Sequence, residues 1–239
     1  MGGKGPKTLI APGDAEPLLH YILRGLRAAG IDDLLVVTGF RPSDVEDYVR
    51  AQWDGSGVSF IRNARFASWG NFHSLRLAID QSPGYSLVVV NSDIVVHPRV
   101  FERVSRSPGD LVLAVQERRR LEPEDMRVEL QGDRAVAIGK DLAMERSHGE
   151  FCGVSMLSHR AATAFADIAS ELEWRAGTSI YYEDVYARML DAVDARWVAV
   201  GEDDYAEVDE PSDLDHAAHV IERHGSSWQE SAQPERAPG

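Results

Sequence analysis

The stretch PLLHYILRGLRAAGIDDLLVVTGF, residues 17–40, changes its hydrophobic period halfway along. In its first half Leu18, Leu19, Ile22, Leu23 and Leu26 recur at helical spacing and share one face. Gly30 follows, where a helix C-terminus favours glycine. The second half, DLLVVTGF, is nearly continuously apolar, the pattern of a strand buried on both faces. A helix feeding a fully buried strand is the repeating unit of an open α/β sheet.

The unit recurs downstream. RPSDVEDYVRAQW (41–53) reads as a helix with a capping box, Ser43 reaching ahead and Glu46 reaching back. VSFIRN (58–63) is a strand, residues 71–81 are helical, and YSLVVVNSD (85–93) is a strong buried strand. A short helix, PRVFERVSRS, and a strand, DLVLAVQ, complete the alternation over residues 17–116, which argues a doubly wound parallel sheet. Beyond residue 120, MRVEL and AVAIGK flank QGDR as a hairpin, and EFCGVSMLS is a further strand. Helices are expected over 159–172 and 183–192, then the strand RWVAV, then the helix PSDLDHAAHVIERH with Pro211 near its first turn. One domain covers 1–224, and the polar, Pro-containing residues 225–239 read as a disordered tail.

Composition excludes several classes. The 239 residues carry 25 basic and 39 acidic side chains, a net charge of −14, so a large nucleic-acid interface is not expected. No apolar run reaches membrane-spanning length and no secretory leader is evident. Cys152 is the single cysteine, which suits a reducing cytoplasm and excludes an internal disulfide.

Five segments could carry chemistry. Gly2, Gly3, Lys4, Gly5 and Lys7 could close backbone N–H groups and a cation on phosphates, or form a mobile terminus. Asp93 ends a buried strand, where such sheets bind ligands; it could hold Mg²⁺, or cap a turn. In YAEVDEPSD, strand alternation puts Glu207 and Asp209 on one face with Val208 opposite. Two same-face carboxylates favour a nearby cation, while solvated side chains at a helix start are the alternative. Asn63, Asn71 and Ser74 lie in a polar loop running into a helix, suited to recognising a base or to capping, with Asn71 as N-cap. Tyr181, Tyr182, Glu183 and Asp184 could line a pocket for a cationic or polar head group, or serve as core tyrosine and helix-capping acids.

Taken in order, these segments resemble the nucleotidyltransferase family with a GT-A-like Rossmann fold, nearest to the phosphocholine- and phosphonate-type cytidylyltransferases. PKTL at 6–9 is similar to the family's PKxL, residues 17–31 to its PLLxxxLxxLxxAGI, and VVTGF to its VVTGY. Asn63–Leu75 resembles its asparagine-rich loop, NSD its NGD, GEFCGV its GEYxGI, and EVDEPSDL its EIDTPEDL; YYEDV is also typical. The resemblance covers residues 1–222. It implies transfer of a nucleotidyl group from a nucleoside triphosphate, CTP first, to a small phosphate or phosphonate acceptor. A sugar-1-phosphate enzyme, or a non-catalytic member with an incomplete phosphate loop, are the alternatives. The resemblance further implies Lys7 on phosphate, Mg²⁺ on Asp93 and Asp209, and the glycine-rich start around the triphosphate. Lys140, Glu150, Tyr182, Glu183, Asp184 and Glu207 would lie toward the acceptor; pairing of two copies is left open. The family's opening strand has no counterpart here, so a doubly wound, mostly parallel but mixed sheet lacking its first strand is expected.

Overall fold

The apolar runs read above become strands of three sheets, wrapped by helices on both faces. The computed structural model describes residues 5–55, 57–117 and 121–230. Gly2, Gly3 and Lys4 lie outside them, as do residues 231–239 of the expected tail. After a 3₁₀ turn at Lys7–Leu9 come α1 (Leu18–Ala28), β1 (Asp33–Thr38), α2 (Pro42–Gln52), β2 (Gly57–Arg62), α3 (Phe72–Gln81), β3 (Leu87–Val90) and β4 (Ile94–Val96). The chain continues through α4 (Pro98–Arg106), β5 (Leu111–Glu117), β6 (Arg127–Gln131), β7 (Arg134–Gly139), β8 (Gly149–Leu157), α5 (His159–Ala176) and α6 (Tyr182–Met189). It ends in β9 (Ala195–Val200), β10 (Tyr205–Glu207), α7 (Leu214–Arg223) and α8 (Gly225–Glu230).

The largest sheet has the order β3-β8-β5-β9-β7-β6, and β1-β2 and β4-β10 form pairs of their own. The architecture is mixed, as expected, but the balance differs. Only β1–β2 and β5–β9 pair parallel among the described strands; β8 runs antiparallel to both β3 and β5. β3 and β5 therefore point the same way with a return strand between them, a placement that local periodicity does not encode. β5 shows why continuous apolarity meant burial on both faces. Leu111, Leu113 and Val115 face the cluster containing Phe72, Phe165 and Tyr186, while Val112 and Ala114 face the cluster of α1, α2 and α4.

Two strands are less enclosed. β1 pairs only with β2 and β3 only with β8, so each has one edge without a strand partner among the described residues. Leu34–Val37 and Leu87–Val90 are only partly buried. Leu34 and Val36 nevertheless pack on the same cluster as Val88 and Val90, so the two sheets share a core without sharing a hydrogen-bond ladder.

Other expectations change locally. The Ser43–Glu46 capping box does not form. Arg41, left-handed at φ 48°, is the N-cap without a side-chain cap, and Pro42 starts the helix, leaving Ser43 past the capping position. The single strand expected over 85–93 breaks at Asn91–Asp93, and β4 turns away to meet β10. The expected disordered tail begins instead as α8, because Trp228, 4% exposed, packs edge-on to Tyr21 at 5.0 Å and its carbonyl accepts from Arg24. The hairpin at 131–134 forms as read, with Gly132 at φ 61° in its two-residue turn.

Helix α1 is positioned by a close approach. A Cβ on Gly25 would lie 2.2 Å from the Phe101 ring of α4, and Phe101 is fully buried. In an open helix Gly→Ala gains about 1 kcal/mol. Here overpacking, about 1–3 kcal/mol, outweighs it. Gly25→Ala should therefore lower the urea midpoint, and an unchanged or raised midpoint would show that α1 and α4 can part.

Candidate active site

The β4–β10 pair does the gathering. In this antiparallel register Ile94 faces Glu207, and the Val208 N–H donates to the Asp93 carbonyl at 2.9 Å. Asp93, just before β4, thus meets Glu207 and Asp209, at and just past the end of β10. Val208 turns the other way and is fully buried against Leu18, Val95 and Ile221. The alternation read from the sequence therefore holds. The next acids are structural: Asp213 Oδ2 accepts the N–H groups of Asp209 and Glu210 at 2.8 and 2.7 Å.

Lys7 enters from the first 3₁₀ turn. Its Nζ lies 3.2 Å from Asp93 Oδ2 and 2.5 Å from Asp209 Oδ1. Burial works against the ammonium charge, but the hydrogen bonds and charges of Asp209 and Asp93 outweigh it and raise the Lys7 pKa. One carboxylate oxygen from each of Asp93, Glu207 and Asp209 lies within 4.8 Å of the others. Burial first, then the negative charges of Asp93 and Asp209, push Glu207 up to about 7; Lys7 and the Tyr205 hydroxyl, 3.4 Å away, oppose the shift. Three oxygen donors of this kind, with one ammonium between them, are a donor set that fits a hard divalent cation.

The other sequence-predicted residues divide. Asn63 is buried: its Nδ2 donates to Ser74 Oγ at 3.0 Å, and its Oδ1 accepts the Arg65 N–H at 2.8 Å. Asn71 is exposed, and its Oδ1 accepts the Tyr182 N–H at 2.8 Å rather than capping α3. Tyr182 is buried, and its hydroxyl donates to Asn91 Oδ1 at 2.8 Å. Glu183 is buried behind Asn71, and Asp184 closes the α6 N-terminus by accepting the Tyr181 N–H at 2.7 Å. Lys140 is exposed, 5.8 Å from the Tyr181 ring. Glu150 is buried on β8, in register with Gln116 and Arg127. Gly5 is exposed with open space about it.

Two contributors had no role in the sequence reading. Asn91 receives the Tyr182 hydroxyl, and Gly153, at φ 70°, lies so close that a Cβ there would be 2.8 Å from the Asn91 side chain. The Asn91-Ser92-Asp93 motif pointed to the first; strand pairing alone reveals the second.

A profile of the MobA-like NTP transferase domain family matches residues 1–164. The CMP-5'-(3-aminopropyl)phosphonate synthase of Streptomyces rubellomurinus is 26% identical over 223 residues, 87% of this chain and 34% of that protein. The D-glycero-alpha-D-manno-heptose 1-phosphate guanylyltransferase of Aneurinibacillus thermoaerophilus is 28% identical over 114 residues, 46% of this chain and 48% of that one. The matches thus span less than half the length of these curated relatives. The structure of the inositol-1-phosphate CTP transferase from T. maritima superposes with a TM-score of 0.76 at 19% identity, covering 93% of this chain and 90% of that one, which shows a common fold. No described helix is long and apolar enough to cross a membrane.

The raised Glu207 pKa carries a stability prediction. Between pH 4.5 and about 7 the unfolded chain gives up this proton before the folded one does, so folding stability falls as pH rises through that window. Glu207→Gln removes the loss. Without divalent cations, its Tm should match the wild type below pH 4.5 and exceed it at pH 8. The difference should be on the order of 1 kcal/mol after solvent screening, or ~2–4 °C. A lower Tm at pH 8 would contradict the assigned charge repulsion.

Proposed function

The chain belongs to the MobA-like NTP transferase domain family, and from that premise we propose a nucleotidyltransferase reaction. It moves a nucleotidyl group, CMP first, from a nucleoside triphosphate to a small phosphorylated or phosphonate acceptor. The observation that carries this is the Lys7 ammonium between Asp93 and Asp209, with Glu207 beside them, brought together from three distant parts of the chain. Such a cluster handles anions through a cation while its carboxylates keep hard-metal donors to hand.

In the proposed reaction an acceptor phosphate or phosphonate oxygen attacks the α-phosphorus. That P–O bond forms as the bond to the bridging oxygen of the β-phosphate breaks, and pyrophosphate leaves with the electron pair. Little covalent work falls to the protein, which aligns two anions and offsets their repulsion. Asp93 and Asp209, with Glu207 beside them, would hold Mg²⁺, which supplies positive charge against the triphosphate when bound. Lys7 is the chain's own cation at this point and lies where a phosphate oxygen would meet it. The exposed Asn71 forms part of the wall beside α6. Asn91, through its bond to Tyr182, steadies the turn that presents Asp93.

The choice of CTP and a compact acceptor rests on relatives that carry CMP or CTP in their names. The sugar-1-phosphate alternative draws on the guanylyltransferase relative, which matches a shorter stretch.

A pyrophosphate-release screen tests the reading. Four nucleoside triphosphates are paired with aminoalkyl phosphonates, choline phosphate, inositol phosphate and hexose 1-phosphates, with Mg²⁺. Release is expected with CTP and a small phosphonate or phosphate, reduced about 10²–10³-fold in Asp93→Asn and in Lys7→Met. Release confined to GTP and a sugar 1-phosphate would select the alternative. No release with any pair, or undiminished release in Asp93→Asn, would overturn the proposal.

A further inference from the structure

Glu183 is a buried carboxyl that the proposed reaction does not use. It is the second residue of α6, 5% exposed, and its Oε2 has no hydrogen-bond partner among the described residues. The carboxyl interacts with its own backbone N–H and with the side chains of Tyr182 and Asn71. Each of those two side chains is also engaged elsewhere. Asn71 Oδ1 accepts the Tyr182 N–H, and the Tyr182 hydroxyl donates to Asn91 Oδ1, both at 2.8 Å. Asn91 stands two residues before Asp93.

The surrounding backbone is as tightly drawn. The Gly70 N–H donates to the Thr178 carbonyl at 2.7 Å, and a Cβ on Gly70 would fall 1.8 Å from the Ile180 carbonyl oxygen. The segments leading into α3 and α6 therefore touch along their backbones, and Glu183 sits behind that junction. An apolar side chain would fill the same space at lower solvation cost, so the polar connections are what the carboxyl adds.

We propose that Glu183 is a positioning residue: its carboxyl ties Asn71, before α3, to Tyr182, in α6, and through the Tyr182 hydroxyl sets the Asn91–Asp93 turn. Its effect on catalysis rests on the reading of Asp93 as part of a nucleotidyl-transfer site; its effect on Tyr182 does not.

The connection responds to protonation. Burial pushes Glu183 up to about 7, against the opposing pull of its own backbone N–H and of the Tyr182 and Asn71 side chains; the Asp184 charge adds to the rise. Tyr182 and Tyr186 face it from α6, and burial, followed by the Glu183 charge, holds the Tyr182 hydroxyl protonated well above the usual range. Asp93 acts on Tyr182 from the strand end. The Tyr182 hydroxyl has one proton to donate. With Glu183 neutral the proton stays on Asn91; with Glu183 ionised, the carboxylate competes for it.

The test uses the full chain labelled with 3-fluorotyrosine and followed by ¹⁹F NMR, the Tyr182 resonance being assigned by its loss in Tyr182→Phe. It should shift with a midpoint near pH 7 in the wild type and stay flat in Glu183→Gln, which retains Glu207. In the transfer assay, Glu183→Leu should lower kcat by about tenfold, the worth of one buried hydrogen bond, and Glu183→Gln should recover most of the loss. The NMR arm needs no turnover, so an inactive protein leaves it decisive. A flat wild-type resonance, or a titration that survives in Glu183→Gln, would overturn the proposal. A fully active Glu183→Leu would confine Glu183 to the fold and equally overturn it.

Discussion

Negative charge is brought together here against its own repulsion. The β4–β10 pairing fixes Asp93, Glu207 and Asp209 within reach of one another because Val208 must point into the core between two outward carboxylates. Lys7, the opposing cation, is delivered by a segment far away in sequence. Gathering charge in this way offers oxygen donors to a cation, as the proposed reaction requires. Most of the remaining fold holds these four side chains in register.

That support is layered. β5 and β8, buried on both faces, form the rigid centre, and the helices on either side draw on separate apolar clusters. Asn91 follows directly on β3; its side chain is pinned by Tyr182 from α6 and closely approached by the Gly153 backbone of β8. The loop into α3 and the loop into α6 meet at Gly70. Three elements therefore converge on the turn that presents Asp93. The least enclosed part is the junction of β1 and β3, where partly buried apolar strands each have an edge without a strand partner among the described residues.

Much of this was legible. The change of period in residues 17–40 located α1 and β1, and the strand read over 85–93 located β3, though Asp93, read as its end, lies past it. Alternation alone placed Glu207 and Asp209 on one face, since a buried Val208 admits no other register. What stayed hidden depended on contacts distant in sequence. The antiparallel insertion of β8 left no mark on its own periodicity. The break at Asn91 looked like the end of a strand, not the start of a new pairing. Asn63 and Glu183 read as ligand contacts because their residue types suit ligands; that both are buried is something only the packed fold decides. Trp228 likewise lay in a polar stretch whose composition suggested disorder, and its contacts with Tyr21 and Arg24 tie a helix to α1 there.

The central claim is that Asp93 and Asp209 share a divalent cation beside Lys7 at a triphosphate site. Electron paramagnetic resonance of Mn²⁺, titrated with a non-hydrolysable nucleoside triphosphate, tests it without knowledge of the acceptor. The account predicts protein-dependent Mn²⁺ binding in the wild type, weakened at least ~10-fold by Asp93→Asn and by Asp209→Asn, while substitution of the exposed Asp167 of α5 by Asn leaves it in place. Mn²⁺ binding that survives both substitutions unchanged would contradict it.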